Sequence, residues 1–309
     1  MPEPDRLSTG RSPASVALVV NPSAAKGGAM AVLPRVTGRL RDAAHRVEVL
    51  LSRSPAEAAD LVAQAVDGGV DVLAVLGGDG MAHLGLNAVA RRAEQEPDAA
   101  PALALVPAGT GNDLARGLGL EPDDPEVALD ALVDGRTRPV DLLRVGERWV
   151  GTVVATGFDA LVNARANRMR WPRGSARYTL AVLAEMRTFR PLRYSLVVDG
   201  VERELEAMFV SVGNTTSFGG GLRICPEADP YDGELDVTVI HPVSRTKLLQ
   251  LLPRMRSGRF AEDPCVEQLR ARSVRVARGA GTAYGDGEEL GATPVAVELV
   301  PAAVQVCLP

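Results

Sequence analysis

Two short stretches of this chain combine glycine with aspartate immediately after an apolar run. They are Gly77-Gly78-Asp79-Gly80 and Gly109-Thr110-Gly111-Asn112-Asp113. Glycine has no Cβ, so its backbone can come within contact distance of a ligand. A helix that begins at such a turn points unpaired N–H groups at an anion, and an aspartate can hold a metal ion bound to that anion. Both stretches therefore predict a nucleotide phosphate site, with a helix-capping aspartate as the structural alternative.

The elements that precede these turns are expected to be strands of one parallel sheet. Apolar runs at residues 16–20, 47–51, 70–76 and 103–106 are separated by helical patterns. This alternation predicts a parallel sheet with helices on both faces. The carboxyl ends of such strands share one edge of the sheet, where open α/β folds bind their ligands. We therefore expect the two glycine turns to be neighbours.

Beyond Asp141 the pattern changes to strand-like runs with few helices between them. The runs are 149–156, 194–198, 207–213, 234–240 and the alternating tail 273–308, and helical patterns interrupt them at 178–188 and 244–255. This texture is typical of an antiparallel sandwich or barrel. The sequence thus predicts an α/β protein with a parallel-sheet, nucleotide-binding domain at 14–141. A β-rich domain at 142–309 follows, and its last residues could return to the first domain.

Composition limits the class of partner and the compartment. The 309 residues carry a formal net charge of −5, whereas nucleic-acid-binding proteins usually have a basic surplus. The three cysteines lie far apart, which fits a reducing compartment. The amino terminus lacks the apolar core of a signal peptide, and no apolar run approaches the roughly 20 residues of a membrane helix. We expect a cytoplasmic protein with peripheral membrane contact and no nucleic-acid partner.

Five motifs in a fixed order carry a resemblance to a known family. They are Asn21-Pro22-Ser23, Gly77-Gly78-Asp79-Gly80, Gly109-Thr110-Gly111-Asn112-Asp113, the acidic stretch 226–236 and Asp286-Gly287-Glu288. In order and spacing the set resembles the diacylglycerol kinase catalytic family, which includes soluble bacterial lipid kinases and the sphingosine and ceramide kinases. The resemblance extends from about Ser15 to Leu308.

The resemblance implies ATP- and Mg²⁺-dependent transfer of a phosphoryl group to a lipid hydroxyl, with diacylglycerol as the leading acceptor. It implies an active site in a cleft between the two domains. Nucleotide contacts are expected from the glycine turns and from the ends of two strands: Asn21, Ser52, Gly77, Gly78, Asp79, Gly80, Gly109, Thr110, Gly111 and Asn112. Ser52 is the weaker candidate because the family usually carries threonine there.

The resemblance also assigns the catalytic residues. Asp286 matches the proposed general base, and Glu288 matches a ligand of the catalytic Mg²⁺. Asp79 is a second candidate for the base. Without the resemblance, Asp286-Gly287 is explained equally well as a hairpin turn, since Asp-Gly is a preferred turn dipeptide.

A second metal site is implied at the acidic turn around Asp232. Its carboxylate would bind Mg²⁺ together with the carbonyl oxygens of Asp229 and Glu234, a donor set that suits a hard cation. The family connects this metal to the active site by acids acting through water, which here are Asp79, Asp113 and Asp141. A helix cap is the alternative for Asp113, and a solvated strand-end acid is the alternative for Asp141.

Residues 165–193 form a basic segment in an acidic protein. The segment holds eight arginines and a single acid, Glu185, with Trp171, Tyr178 and Phe189 among them. Positive charge mixed with aromatic side chains favours docking on anionic lipid head groups. A solvated surface is the equally weighted alternative.

Three alternatives to a diacylglycerol kinase stay open. The acceptor could be another lipid, such as a sphingoid base, ceramide or phosphatidylglycerol. An NAD kinase also uses a Gly-Gly-Asp-Gly turn on a related two-domain fold. A catalytically silent protein that binds lipid or nucleotide is the alternative from a different class. A homodimer is neither predicted nor excluded.

Overall fold

The computed structural model describes residues 8–9, 13–43, 46–122, 124–169, 171, 180–182, 184–185, 190–278 and 281–309. The chain forms two compact units. The first holds the described residues up to Asp141 together with Pro301–Pro309, and the second is Leu142–Val300.

Strands and helices alternate in the first unit. Its elements are β1 (Ser8–Thr9), β2 (Ser15–Val20), α1 (Gly28–Ala43), β3 (Arg46–Leu51), α2 (Pro55–Asp67), β4 (Val72–Gly77), α3 (Asp79–Gln95), β5 (Ala102–Pro107), α4 (Asp113–Gly117) and α5 (Glu126–Val133), with 3₁₀ turns at Ala24–Gly27 and Pro97–Ala99. Strands β2 to β5 pair in parallel in the order β3-β2-β4-β5. The end of the last strand, β17 (Val295–Cys307), adds parallel to β5 at Val306.

Helices cover both faces of this parallel sheet. On one face, Leu18 of β2 packs in a cluster with Leu40 of α1 and Leu129 of α5. On the other face α3 lies so close that a Cβ at Gly85 would stand 2.9 Å from Val75 and 3.0 Å from Leu103. A strand that is buried on both faces has consecutive apolar residues, rather than apolar residues that alternate with polar ones. The sequence prediction of a parallel sheet is confirmed.

The strand order identifies the edge at which a ligand is expected. The chain passes from β2 outward to β3 and then returns to β4 on the other side of β2, so the order reverses between β2 and β4. Open α/β sheets bind ligands at such a switch point, beyond the carboxyl ends of the strands. Asn21 follows β2 and Gly78 follows β4, so both lie at this position.

The second unit is built of antiparallel strands with helices on one side. Its elements are the end of β6 (Arg136–Val145), β7 (Arg148–Val150), β8 (Val153–Ala155), α6 (Phe158–Arg168), β9 (Leu192–Val198), β10 (Val201–Ala207), β11 (Phe209–Gly213), β12 (Leu235–Ile240), α7 (Arg245–Met255), a 3₁₀ turn (Arg259–Glu262), β13 (Val266–Ala271), β14 (Ser273–Arg278), β15 (Thr282–Gly285), β16 (Glu288–Ala292) and the start of β17. One sheet runs β10-β9-β14-β17 and the other runs β13-β12-β11-β8-β15-β16.

The core of the second unit lies between these two sheets. Tyr194 and Val276 of the first sheet and Val212 and Val237 of the second are fully buried in one cluster. A separate cluster packs α6 and α7 on the outer face of the second sheet. This is a β-sandwich, which confirms the prediction of a β-rich second domain.

Side-chain hydrogen bonds cap the starts of two helices. Ser54 is the N-cap of α2 and accepts the N–H of Glu57, with Pro55 at the first helical position. Ser244 caps α7 in the same way through Lys247. Within the part of the chain that the structure describes, none of the helices is both long and apolar enough to cross a lipid bilayer.

Candidate active site

Asp79 joins the two glycine turns of the first unit. Its Oδ1 accepts the backbone N–H of Asp113 at 2.6 Å, and its Oδ2 accepts that of Asn112 at 2.9 Å. These N–H groups belong to the amino end of α4 and have no acceptor within that helix. A negative charge there is also favoured by the helix dipole. The two turns are therefore neighbours, as the sequence predicted.

Two glycines are required by the close approach of the turns. A Cβ on Gly109 would stand 2.4 Å from the Cα of Gly78, and a Cβ on Gly111 would stand 2.3 Å from Oδ2 of Asp79. Gly80 differs, because a Cβ there would meet nothing within 4 Å. The close approach of the two turns therefore requires glycine at positions 109 and 111. It does not require glycine at position 80.

Asn112 fixes the shape of the second turn. It occupies the left-handed region with φ 53°, a conformation that asparagine tolerates better than most residues. Its Oδ1 accepts the N–H of Gly109 at 3.0 Å, and its Nδ2 donates to Gly109 at 3.1 Å and to Pro122 at 2.8 Å. The predicted role of Asn112 in nucleotide binding stays a prediction, and its side chain serves the loop itself.

Asn21 and Ser52 lie at the same edge of the sheet, after β2 and β3. Oδ1 of Asn21 accepts the N–H and hydroxyl of Ser23 at 3.0 and 2.7 Å. The buried hydroxyl of Ser52 donates to the carbonyl of Val20 at 2.9 Å. Each side chain has a structural bond, and contact with a nucleotide stays a prediction for both. Thr110 is exposed at the tip of its turn.

The acids assigned to a water-mediated network have local partners. Oδ1 of Asp113 accepts a hydrogen bond from Arg116 at 2.9 Å. Oδ1 of the buried Asp141 accepts the N–H of Ala302 at 2.7 Å, where the backbone has φ 50°. Asp113 is the first residue of α4, and its neighbour Asn112 is the cap. Neither acid is a freely solvated side chain.

Asp286 lies in a two-residue hairpin turn of the second unit, between β15 and β16. Asp286 and Gly287 have φ values of 51° and 85°, the left-handed conformation that tight hairpins need. Asn167 of α6 donates to the carbonyl of Gly287 at 2.9 Å. Glu288 follows the turn and is exposed. The hairpin interpretation and a functional role are thus compatible, because the backbone forms the turn while the Asp286 carboxylate contacts residues outside it.

The carboxylate of Asp286 is held by a segment that the sequence placed inside one long strand. The predicted strand 149–156 is in fact two strands, β7 and β8, separated by Gly151-Thr152. Gly151 donates its N–H to Oδ2 of Asp286 at 3.0 Å, and Thr152 donates its N–H and hydroxyl to Oδ1 at 2.9 and 2.6 Å. A glycine inside a strand pattern signals a bulge or close approach. That signal could have located this contact.

An arginine lies against the acidic turn at residues 229–236. Arg270 contacts Asp232, lies 3.3 Å from Oε2 of Glu234, and lies 4.0 Å from Oδ2 of Asp236. The second oxygen of Asp232 accepts the N–H of Glu234 at 3.0 Å. The sequence did not single out Arg270, because strand pairing rather than sequence spacing sets it opposite Asp236.

Asp236 is the most buried acid of this turn, with 2% of its surface exposed. Its Oδ2 has no hydrogen-bond partner among the described residues. Burial raises the pKa of Asp236 to about 6, and the charges of Glu227, Glu234 and Asp229 add to the effect. An ionised carboxylate in these surroundings favours a nearby cation.

The carboxylate of Asp232, which the sequence analysis assigned to a Mg²⁺ ion, contacts a guanidinium in the structure. A bound metal would compete with Arg270 for Asp232, and like charges so close repel. No set of three acids, histidines or cysteines within the described ranges is arranged to hold a metal. The metal-binding roles of Asp232, Asp229 and Glu234 stay predictions. Glu288 is exposed and lies two residues after Asp286, and its metal-binding role also stays a prediction.

A cavity of about 870 Å³ opens in the second unit beside α6. Its lining includes apolar side chains from Leu161, Met169 and Leu192. Polar side chains also line it, among them those of Arg168, Arg190 and Tyr284. Tyr284 donates to Glu289 at 3.2 Å. The volume of this cavity lies within the range of pockets that bury a small ligand.

Comparisons with known proteins cover nearly the whole chain. The family described as diacylglycerol kinase catalytic domain matches residues 15–145. The family described as YegS C-terminal NAD kinase beta sandwich-like domain matches residues 152–308. A Mycobacterium tuberculosis protein named "Diacylglycerol kinase" is 42% identical over 300 residues, which are 95% of each chain.

Further relatives agree. A Stenotrophomonas maltophilia protein named "Probable lipid kinase YegS-like" is 30% identical over 282 residues, 88% of this chain and 90% of the relative. A crystal structure of a diacylglycerol kinase from Bacillus anthracis superposes with a TM-score of 0.77 at 24% identity, covering 97% of this chain and 99% of the other. That structural likeness supports the fold.

The chain therefore belongs to the diacylglycerol kinase catalytic family. It is an enzyme of the lipid kinase class.

Proposed function

We propose that this protein transfers the γ-phosphoryl group of ATP to the hydroxyl of diacylglycerol and so forms phosphatidic acid. The observation that carries the proposal is the 42% identity, over 95% of both chains, to a protein named diacylglycerol kinase. The motifs of the sequence analysis lie within the matched residues. Phosphoryl transfer needs positioned phosphates, charge neutralisation and a base for the acceptor hydroxyl, and the described residues offer candidates for each.

The turn before α3 is the proposed phosphate site. Helix α3 begins at Asp79 and runs for 17 residues, so its first N–H groups have no acceptor within the helix. The N–H groups at the amino end of α4 already donate to the Asp79 carboxylate. Gly80 is exposed, with open space where a Cβ would stand. The backbone at the start of α3 therefore suits an approaching phosphate.

Asp286 is the proposed general base in the second unit. It takes the proton of the acceptor hydroxyl while the hydroxyl oxygen bonds to the γ-phosphorus of ATP. The bond between that phosphorus and the bridging oxygen breaks, and ADP leaves with the electron pair. Glu288 is the proposed ligand of the Mg²⁺ that neutralises the phosphate charge.

The cavity beside α6 is the proposed acceptor pocket. The apolar part of its lining suits acyl chains, and Arg168 and Arg190 in the same lining suit the polar end of a lipid. A lipid kinase needs such a pocket on a unit that approaches the membrane. The same pocket chemistry does not distinguish diacylglycerol from phosphatidylglycerol, so the acceptor is decided by assay.

Membrane docking is proposed for the basic segment 165–193. Exposed apolar side chains accompany its described arginines: Trp171 is 79% exposed, Leu161 44% and Leu180 42%. Residues 170, 172–179, 183 and 186–189 of the segment lie outside the described residues. Apolar side chains beside arginines are typical of interfacial binding to anionic lipid.

The docking test uses liposomes with and without phosphatidylglycerol. We expect co-sedimentation that needs anionic lipid and weakens with salt. Trp171→Ala and Arg168→Glu should reduce it, whereas Leu249→Ala and Arg259→Glu, which change exposed residues on α7 and the turn after it, should not. Binding that ignores lipid charge and salt would contradict docking.

Substrate choice is tested with purified protein, labelled ATP and a panel of acceptors in mixed micelles. The panel contains diacylglycerol, monoacylglycerol, sphingosine, ceramide and phosphatidylglycerol, with NAD in solution as a further acceptor. NAD is included because the family of the second unit is described as NAD kinase-like. We expect labelled phosphatidic acid as the main product. A labelled dinucleotide, or no product despite nucleotide binding, would contradict the proposal.

A further inference from the structure

The cavity beside α6 extends away from the hairpin that carries Asp286. Asn167 of α6 donates to the carbonyl of Gly287 at 2.9 Å, so the carboxyl end of this helix lies at the hairpin. Residues of α6 and its N-cap line the cavity from Arg168 back to Gly157. At about 1.5 Å per residue, this stretch spans roughly 16 Å. The cavity therefore has a near end at the hairpin and a far end at the start of α6.

Strand β15 gives the cavity the same direction. Thr282 and Tyr284 line it, whereas Ala283 between them is buried in the core between the two sheets. Successive strand residues face opposite sides of a sheet, so the cavity lies on the outer face of the second sheet. Tyr284 and Thr282 precede Asp286 by two and four residues. Along the strand they lie roughly 7 and 13 Å from it, so Thr282 belongs to the far part of the cavity.

The lining changes from mainly polar to apolar between the two ends. Glu289 of β16 pairs with Tyr284 and accepts its hydroxyl at 3.2 Å, so both lie towards the hairpin. Arg168 and Met169 follow Asn167 and belong to the same end. The far end of α6 contributes small or apolar residues, namely Gly157, Ala160 and Leu161. The near end therefore suits the oxygens of a glycerol ester, and the far end suits a hydrocarbon chain.

Two further arginines line the cavity. Arg165 forms an ion pair with Glu185, which also belongs to the lining. Arg190 is exposed to solvent and lies two residues before Leu192, an apolar lining residue at the start of β9. An arginine can pack its methylene groups along an apolar chain while its charged head stays in water. These arginines are therefore compatible with a hydrocarbon chain in the cavity.

We propose that this cavity selects acceptors by acyl-chain length, with the chain lying along α6 and only a long chain reaching Leu161. This inference rests on the proposed function, because it assumes that the cavity holds the acceptor, and it adds which residues limit the chain. Ala164 lies about one helical turn from Arg168, and Leu161 lies about two turns from it. A chain that enters from the hairpin end passes Ala164 whatever its length, whereas a short chain ends before Leu161.

A charge at the far end of the cavity tests this arrangement. Leu161→Asp is compatible with folding, because Leu161 is 44% exposed and the helix dipole favours an acid near the amino end of a helix. Leu249→Asp is the matched control, because Leu249 is 43% exposed near the start of α7 and lies outside the cavity lining. Ala164→Phe narrows the cavity closer to the hairpin. Trp171→Ala is the control for membrane docking, because Trp171 is exposed and is not part of the lining.

The value of kcat/KM is measured for each protein with dioctanoylglycerol and with dioleoylglycerol in mixed micelles, together with the Kd of ATP and Tm. We expect Leu161→Asp to lower kcat/KM for dioleoylglycerol by about tenfold and to keep that for dioctanoylglycerol within about twofold. A tenfold loss corresponds to about 1.4 kcal/mol, less than the burial of two methylene groups contributes. Ala164→Phe should lower both values by about tenfold. Leu249→Asp and Trp171→Ala should leave the ratio of the two values unchanged.

The inference is overturned if Leu161→Asp leaves this ratio unchanged, or if Leu249→Asp or Trp171→Ala changes it as much. It is also overturned if Ala164→Phe spares both acceptors. If a lining variant does not fold, Leu161→Asn or Ala164→Leu takes its place under the same criteria. A wild-type protein that phosphorylates neither diacylglycerol removes the proposed function, whereas wild-type activity on both with an unchanged ratio in Leu161→Asp removes only the chain-length selection.

Discussion

The carboxylate of Asp79 accepts the backbone N–H of Asp113 at 2.6 Å. A side chain of the first glycine turn therefore caps α4, the helix that begins after the second glycine turn. The motif aspartate is thus part of the architecture of the loops. The same contact explains why Gly111 has no side chain, since a Cβ there would stand 2.3 Å from Oδ2 of Asp79. Asp79 and Asp286 are both candidates for the base, and each is held by backbone donors.

Asp79→Asn should destabilise the protein. The amide would place a donor against one of the two N–H groups that the carboxylate now accepts, and hydrogen bonds to charged groups contribute about 1.5–3 kcal/mol. We expect the free energy of unfolding to fall by about 2 kcal/mol in urea titrations. Asp60→Asn changes an exposed acid of α2 and should leave it unchanged. Equal stability of Asp79→Asn and wild type would contradict the structural role.

Alanine at two glycines should separate loop packing from phosphate binding. Gly109→Ala would push a Cβ against the Cα of Gly78 and should lower Tm. Gly80→Ala enters open space within a helix, where alanine is favoured over glycine by about 1 kcal/mol. We therefore expect Gly80→Ala to keep or raise Tm and yet to weaken ATP binding.

Gly38→Ala is the control for this pair, because Gly38 also lies in a helix with open space around it and is far along the chain from both turns. It should keep both Tm and ATP affinity. Wild-type ATP affinity in Gly80→Ala would show that phosphate does not approach the start of α3.

Stability in acid should depend on Asp263. Hydrogen bonds from Lys247 and Cys265 lower the pKa of this carboxyl to about 2, from an ordinary value of 3.8. A lowered pKa stabilises the folded state above the unfolded value, and the contribution is lost as pH falls from about 4 toward 2. Asp263→Asn should therefore lower Tm at pH 7. It should also make the decrease in Tm between pH 4 and pH 2 smaller than in the wild type. An unchanged profile between these pH values would contradict the contact.

Arg270→Ala should make the acidic turn dependent on an added cation. Without the guanidinium, Asp232, Glu234 and the buried Asp236 repel one another. We expect a lower Tm and a larger rise in Tm with Mg²⁺ than the wild type shows. The double variant with Asp232→Asn should lose that rise. A wild-type Tm that rises with Mg²⁺ as much as that of Arg270→Ala would instead support the predicted metal site.

Contacts close in sequence were predictable, and contacts made by strand pairing were not. The cap of α2 by Ser54 and the two glycine turns follow from local patterns, because a helix start and a βα turn each need particular residues within a few positions. Arg270 reaches the acidic turn only because β13 pairs with β12 in a register that sets it opposite Asp236. No local sequence pattern predicts which residues of β12 and β13 lie opposite each other.

The contact between Thr152 and Asp286 joins both kinds of information. The Asp-Gly dipeptide predicted the hairpin, and Gly151 inside an apolar run was a signal that the strand is interrupted. The partner of the interruption lies 134 residues away and depends on the pairing of β8 with β15. The sequence analysis therefore located only the hairpin half of this contact, because it predicted a single strand at residues 149–156.

The proposed phosphoryl transfer is measured with labelled ATP and diacylglycerol in mixed micelles, for the wild type and for Asp286→Asn. We expect labelled phosphatidic acid from the wild type. In the variant we expect a loss of turnover of at least about 100-fold, within the range for removal of a general base, with ATP affinity retained. Wild-type turnover in Asp286→Asn, or no transfer to any lipid by the wild-type enzyme, would contradict the proposal.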